Sequence, residues 1–142
     1  MSADNFFTVD ILTPNKAVAT NIPARSLFIP TERGQINVLE NHTHIVTKLS
    51  TGELSLFGGA DDPDRHFSIT TGICKVLDKK VVILANTSEE FHEIDTARAE
   101  KALENATAML KKDALTDVQY QKYQRKQERA KLRLELSKKY SK

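Results

Sequence analysis

Apolar and polar positions alternate along the first half of the chain. "FFTVDIL" sets Phe7, Val9 and Ile11 on one face, and "GQINVL" sets Ile36 with Val38. "HIVTKLS" carries Ile45, Thr47 and Leu49 at every second position, "GELSLF" pairs Leu54 with Leu56, and "HFSIT" pairs Phe67 with Ile69. "SLFIP", closed by Pro30, and the apolar runs "GICKVL" and "KVVILAN" complete the set. A period of two belongs to a half-buried strand. Eight or nine such segments, at a spacing of roughly 8–12 residues, predict an all-β sandwich or barrel. "LDKK" predicts a tight hairpin between the last two strands.

The period then changes. All four prolines and all five glycines lie within the first 72 residues, so the chain passes from turn-rich to turn-free. From Asp95, small or apolar residues fall at Ala99, Ala102, Leu103, Ala106 and Leu110, one helical stripe rich in alanine. "KKDAL" breaks it. "TDVQ" then reads as a capping box, with Thr116 as N-cap and Gln119 three positions inside. Leu115 and Tyr120 are spaced for a hydrophobic staple across it. The second helix is expected from about Asp117 to about Lys138, with the stripe Tyr120, Tyr123, Ala130 and Leu134. Two helices joined by about five residues predict an antiparallel hairpin. The expected division is residues 1–88 for the strands and 89–142 for the hairpin.

Composition narrows the class. With 142 residues, 39% hydrophobic and 28% charged, the chain is expected to be globular and soluble, and suits one typical domain or a small domain with an appendage. No stretch approaches the roughly 18 apolar residues of a membrane span. The opening "MSADNFFTVDILTP" lacks a basic segment and an apolar core, so no secretory leader is expected. Cys74, the single cysteine, reads as a small buried hydrophobe. The net charge of +2 conceals a split: residues 121–142 hold nine Lys or Arg against two acids, hence +7, and the rest of the chain sums to −5. A basic tail on an acidic body fits an anionic partner, or docking onto the body itself.

Candidate chemistry is sparse. Gly-Lys does not occur, which removes the P-loop pattern. His42 and His44, at i and i+2, would point the same way from a strand, but two ligands without a nearby Cys or acid cluster make no convincing metal site. No nucleophile, base and orienter set stands out, so no catalytic residue is assigned. In "EFHEIDTARAEKA", Asp95 suits a helix start, whereas Arg98 in the first turn opposes the helix dipole. Either Arg98 is solvated or an anion is expected nearby. Arg125, Arg129 and Arg133, at i, i+4 and i+8, read either as a solvated face with local ion pairs or as a set of forks for phosphate or an acidic helix. A nucleic-acid module is disfavoured, because the basic helix offers only Tyr120, Tyr123 and Tyr140 for base stacking.

In order, "IPTERGQINVLENHTHIVTKLSTGEL", "FSITTGICKVLDKKVVILANTSE", "EIDTARAEKA" and a helical hairpin resemble the epsilon subunit of the bacterial F-type ATP synthase, over about residues 5–140. The resemblance implies a β-sandwich of about ten strands followed by a two-helix domain. It implies a non-catalytic subunit of the rotating central stalk, bound to the gamma subunit and seated on the c-ring. The C-terminal helices would reach the catalytic alpha/beta head and restrain ATP hydrolysis. The site would be peripheral, at the cytoplasmic face of the bacterial inner membrane, with membrane contact only through the complex.

The resemblance also implies site residues. "IDTARA" matches the family's (I/L)DxxRA motif, which in some bacterial members binds ATP. Ile94, Asp95 and Arg98 would then lie at the adenosine and nearby groups, and Arg129 and Arg133, or Arg125, at the phosphates, with ATP a regulatory ligand and no cofactor required. The alternative function is accordingly an ATP-sensing module. Glu32, Arg33, Gln35 and His42 would face the c-ring or gamma. Two departures stand out: His44 occupies a position that is usually Pro, and Gln35 one that is often acidic.

Overall fold

The computed structural model describes residues 7–39, 44–58 and 63–140. Its elements are β1 (Phe7–Leu12), β2 (Ala17–Ala24), β3 (Ser26–Thr31), β4 (Gly34–Leu39), β5 (Ile45–Leu49), β6 (Gly52–Phe57), β7 (Arg65–Leu77) and β8 (Lys80–Glu90). A single 3-10 turn (Phe91–Glu93) leads to α1 (Thr96–Leu110) and α2 (Asp117–Tyr140). The chain divides into two compact units, Met1–Glu90 and Phe91–Lys142.

The strand unit is a β-sandwich, with eight strands among the described residues rather than about ten. The order is β2-β1-β8-β7-β6-β3-β4, with β5 added on β7. The long β7–β8 hairpin joins the two layers. The first half of β7 pairs with β6, from Ile69 opposite Gly52 to Arg65 opposite Leu56. The second half pairs with β5, from Gly72 opposite Leu49 to Val76 opposite Ile45. Pairing within the hairpin skips between Thr70–Thr87 and Gly72–Ala85. There the buried positions of β7 change parity, from Phe67 and Ile69 to Cys74 and Val76. One strand thus supplies the core from both layers. Gly72 sits at this crossing, where an added Cβ would lie 2.8 Å from the Cα of Ala85, a backbone atom that cannot swing aside.

The alternation in the sequence maps onto this core. Phe7, Val9 and Ile11 are buried, as are Leu54, Leu56, Phe67 and Ile69. Cys74 is buried, and burial pushes its thiol up to about 12. The turn at "LDKK" is formed with Leu77 opposite Lys80 and Asp78 at φ 58°. Two departures from the pattern are instructive. "HFSIT" and "GICKVL" form one strand, because a parity change within β7 looks like a break in the period. Strand β2 escapes the pattern altogether: it pairs with β1 through register shifts, contains Asn21 at φ 52° and Pro23, and lies at the sheet edge, where a missing N–H is tolerated.

In the hairpin, Asp95 is the N-cap of α1 in extended conformation, and its carboxylate accepts from the Arg98 backbone N–H at 3.1 Å. The capping box forms in both directions: Thr116 N–H donates to Gln119 Oε1 at 3.0 Å, and Gln119 N–H to Thr116 Oγ1 at 3.1 Å. Ala99 and Ala106 are buried on α1, as expected. On α2 the stripe differs from expectation. Tyr120 is 45% exposed, so the Leu115–Tyr120 staple does not bury it. The buried residues are Ala130, Arg133 and Leu136, with Leu134 only half-buried.

Candidate functional site

Two surfaces carry the residues singled out by the sequence. The first is the hairpin. Thr96 Oγ1 lies 2.8 Å from Ser137 Oγ, and Gln127 Nε2 donates to Thr107 Oγ1 at 3.2 Å. These two contacts fix the antiparallel register. Ile94, just before the cap, is buried, with its N–H donating to the Phe91 carbonyl at 3.3 Å. Asp95 is committed to the cap. The Arg98 side chain is exposed, and no acid pairs with it among the described residues.

The three arginines of α2 do not share one face. Each step of four residues advances by about 40° beyond a full turn, so i to i+8 rotates by roughly 80°. Arg125 and Arg129 are exposed, while Arg133 is turned inward and buried. From Ser137, which marks the level of Thr96, Arg133 lies one helical turn away, Arg129 two and Arg125 three. At 1.5 Å per residue these are about 6, 12 and 18 Å. Arg133 is therefore grouped with "IDTARA", and Arg125 sits near the connecting loop.

The second surface is the outside of the sandwich. Glu32 and Arg33 form the β3–β4 turn, closed by Thr31 Oγ1 donating to the Gly34 carbonyl at 2.8 Å and by Gly34 at φ 102°. Both are exposed, as is Gln35 beside them on β4. Ile36 and Ile45 are 41% and 38% exposed, and Val46 67%. His42 lies outside the described residues, and His44 is exposed. Among the described residues no three His, Cys, Asp or Glu side chains converge on a point, and no helix is long and apolar enough to cross a membrane.

On the layer formed by β1, β8, β7 and β5, two cross-strand rows face outward. One runs Leu12, Leu84, Ile73, Lys48, and the other Asp10, Val82, Lys75, Val46. Leu12, Ile73, Leu84 and Val46 line a shallow groove there. The apolar face of a strand normally belongs inside. Here the run "VVILA" fills the interior with Val81 and Ile83 and still leaves Val82 and Leu84 only half-buried.

Several contacts had no sequence signal, because their partners are distant in the chain. Arg65 grips Glu90 through Nε and Nη2, at 3.0 and 2.6 Å, and lies 5.4 Å over the Phe67 ring. Ser55 Oγ donates to Glu53 Oε2 at 2.7 Å and sits 2.9 Å from His66 Nδ1. Phe91 meets Tyr140 with ring centroids 5.6 Å apart. Chemically, none of these sets is an exposed nucleophile with a base. The molecule offers an outward apolar face on its sandwich and a charged hairpin.

A β-sandwich with an outward apolar layer, followed by a capped two-helix hairpin, defines the fold. The family model "ATP synthase, Delta/Epsilon chain, beta-sandwich domain" matches residues 6–91. The chain belongs to the ATP synthase delta/epsilon family, as an accessory rather than the catalytic subunit. It is 30% identical over 132 residues to the ATP synthase epsilon chain of Persephonella marina, covering 92% of this chain and 96% of that one, which extends the likeness into the hairpin. It is 34% identical over 108 residues to the chloroplastic epsilon chain of Chlamydomonas reinhardtii, covering 73% and 76%. A chain in the F1/c-ring structure of the Euglena gracilis mitochondrial ATP synthase shares the fold with a TM-score of 0.76 at 21% identity, over 89% of this chain and 78% of that one.

Proposed function

We propose that this subunit docks on gamma through the outer face of its sandwich, contacts the c-ring near the Glu32–Arg33 turn, and uses its hairpin to restrain ATP hydrolysis by the catalytic head. The observation that carries this reading is the apolar row Leu12, Leu84 and Ile73, with Val46 beside it, left outside a core that is already complete. Lys48 and Lys75 border that face, so the partner surface should be apolar with acids at its margin. In a bacterium the site of action is the cytoplasmic face of the inner membrane, reached through the complex.

The test is a pair of variants in the assembled enzyme. Ile73→Glu places a charge in the docking face and should abolish co-purification with gamma while leaving the chain folded. Deleting residues 116–142 should leave assembly intact and raise ATP hydrolysis. Retention of gamma by the first variant sinks the docking face, and unchanged hydrolysis in the second removes the inhibitory role.

A second reading makes ATP a regulatory ligand of the hairpin. It rests on Arg98, exposed and with no acid partner among the described residues, about half a helical turn from the level of Arg133. Titration of the chain by calorimetry should show ATP binding that weakens roughly ten- to a hundredfold in Arg98→Ala, the effect of one charged hydrogen bond. A wild-type chain giving no heat at millimolar ATP ends this reading.

A further inference from the structure

The contacts that hold the two helices together differ in kind along the hairpin. The loop end carries a covalent tether, with Ala114 at φ 66°, and the exposed residues Val118 and Tyr120. Farther along are Ala99, Ala106 and Ala130, which bring the backbones close but bury little side-chain area, the Thr107–Gln127 hydrogen bond and the inward-turned Arg133. The other end, the base, is different. Thr96 and Ser137 join hydroxyl to hydroxyl at 2.8 Å. Tyr140 packs its ring on Phe91, tilted by 54°, with Lys139 Nζ 5.2 Å over the tyrosine ring. Phe91 is in turn edge-on to His92 at 5.7 Å. Leu136, wholly buried, lies one turn before Tyr140.

Phe91 belongs to neither helix. It sits on the 3-10 turn that follows directly on β8. The last turn of α2 is therefore held by α1 through Ser137 and, through Tyr140, by the segment from which the hairpin starts. A hairpin tethered at its loop can separate only from the opposite end, because the loop keeps the near ends together whatever the side chains do. Contacts at that end govern opening more strongly than contacts of equal size elsewhere.

We propose that Phe91 and Tyr140, with Thr96 and Ser137, form a latch at the base of the hairpin that must release before α2 can leave α1. The latch rests on the reading of the hairpin as a movable regulatory element, and it names the step that limits that movement.

Hydrogen exchange on the full chain within its complex tests this. In Tyr140→Ala, the amides of the last two turns of α2 and the first turn of α1 should exchange roughly three- to tenfold faster, the value of one aromatic pair. Alanine is the better helix former, so helix propensity alone would slow exchange, and acceleration reports the lost contact. Tyr140→Phe keeps the ring and should behave as wild type. Tyr120→Ala, at the loop end, should leave the base unchanged. Base exchange unaltered in Tyr140→Ala, or equally accelerated in Tyr120→Ala, overturns the latch. ATP hydrolysis measured on the same samples separates the two ideas. Faster exchange at constant hydrolysis upholds the latch and removes the inhibitory role. Faster exchange with changed hydrolysis upholds both.

Discussion

In the sandwich the wholly buried side chains include Phe67, Leu27, Ile29, Leu54 and Ile83, whereas in the hairpin the buried set is Ile94, Ala99, Ala106, Ala130 and Leu136, with Arg133 among them. Each large aliphatic or aromatic removed from water contributes about 1.5–3 kcal/mol, and an alanine far less. The sandwich also ties its strands by ladders between residues far apart in sequence, while the hairpin joins its helices through side chains, among them Thr96 to Ser137 and Thr107 to Gln127. On the proposed reading the sandwich is a platform and the hairpin a movable arm, which need these two kinds of construction. The first must keep a docking face in shape under load. The second would need two arrangements separated by a small free energy, for which an alanine seam is better suited than a phenylalanine core.

The comparison can be broken at either end. Phe67→Ala empties the point where β7 enters the core and should cost about 3–5 kcal/mol, enough to unfold a marginal domain. Circular dichroism should then show loss of the β signal. Ala106→Leu instead overpacks the alanine seam, at about 1–3 kcal/mol. Calorimetry should show the helical transition falling while the sandwich transition stays in place. One transition moving as a whole in both variants would mean that the two units are not energetically distinct.

The smallest expected effect lies at the sandwich edge. The backbone N–H of Asn21, at 2.7 Å from Asp10 Oδ1, and the Lys80 ammonium, at 3.0 Å from Oδ2, hold the Asp10 carboxyl below its usual range. Lys80 Nζ also donates to Asn21 Oδ1 at 2.8 Å, so the three groups brace the left-handed residue of β2. A folded value below the unfolded one stabilises above about pH 4 and is lost as pH falls through the folded value. Urea titrations of wild type and Asp10→Asn should therefore differ near neutral pH and converge in acid. Curves that stay parallel throughout would remove the pair from the account of acid stability.

Much of this was readable before folding. The period of two marked β1, β4, β5, β6 and the first half of β7, because strands with one face in the core must alternate, and a continuous apolar run marked β8. Asp95, Thr116 and Gln119 marked the helix starts, because a cap is a contact within three residues. Glycine and proline stop at Gly72, inside β7, so their end signalled that a helical part follows without placing its start.

Other features depend on residues that meet only in three dimensions. Strand β2 is held by β1 and by the Asp10–Lys80–Asn21 contacts, not by its own pattern. The crossing of β7 between layers is set by its pairing with β5 on one half and β6 on the other. Helix phase likewise escapes a count by fours: Arg125, Arg129 and Arg133 look equivalent in the sequence, but a 3.6-residue turn rotates the last of them into the interior. The sequence by itself determined what each segment would become, since period, caps and turns act over a few residues. Only the tertiary structure decided which segments share a core and which pairs close the hairpin, because contacts such as Phe91–Tyr140 and Arg65–Glu90 join residues whose separation along the chain carries no signal of their meeting.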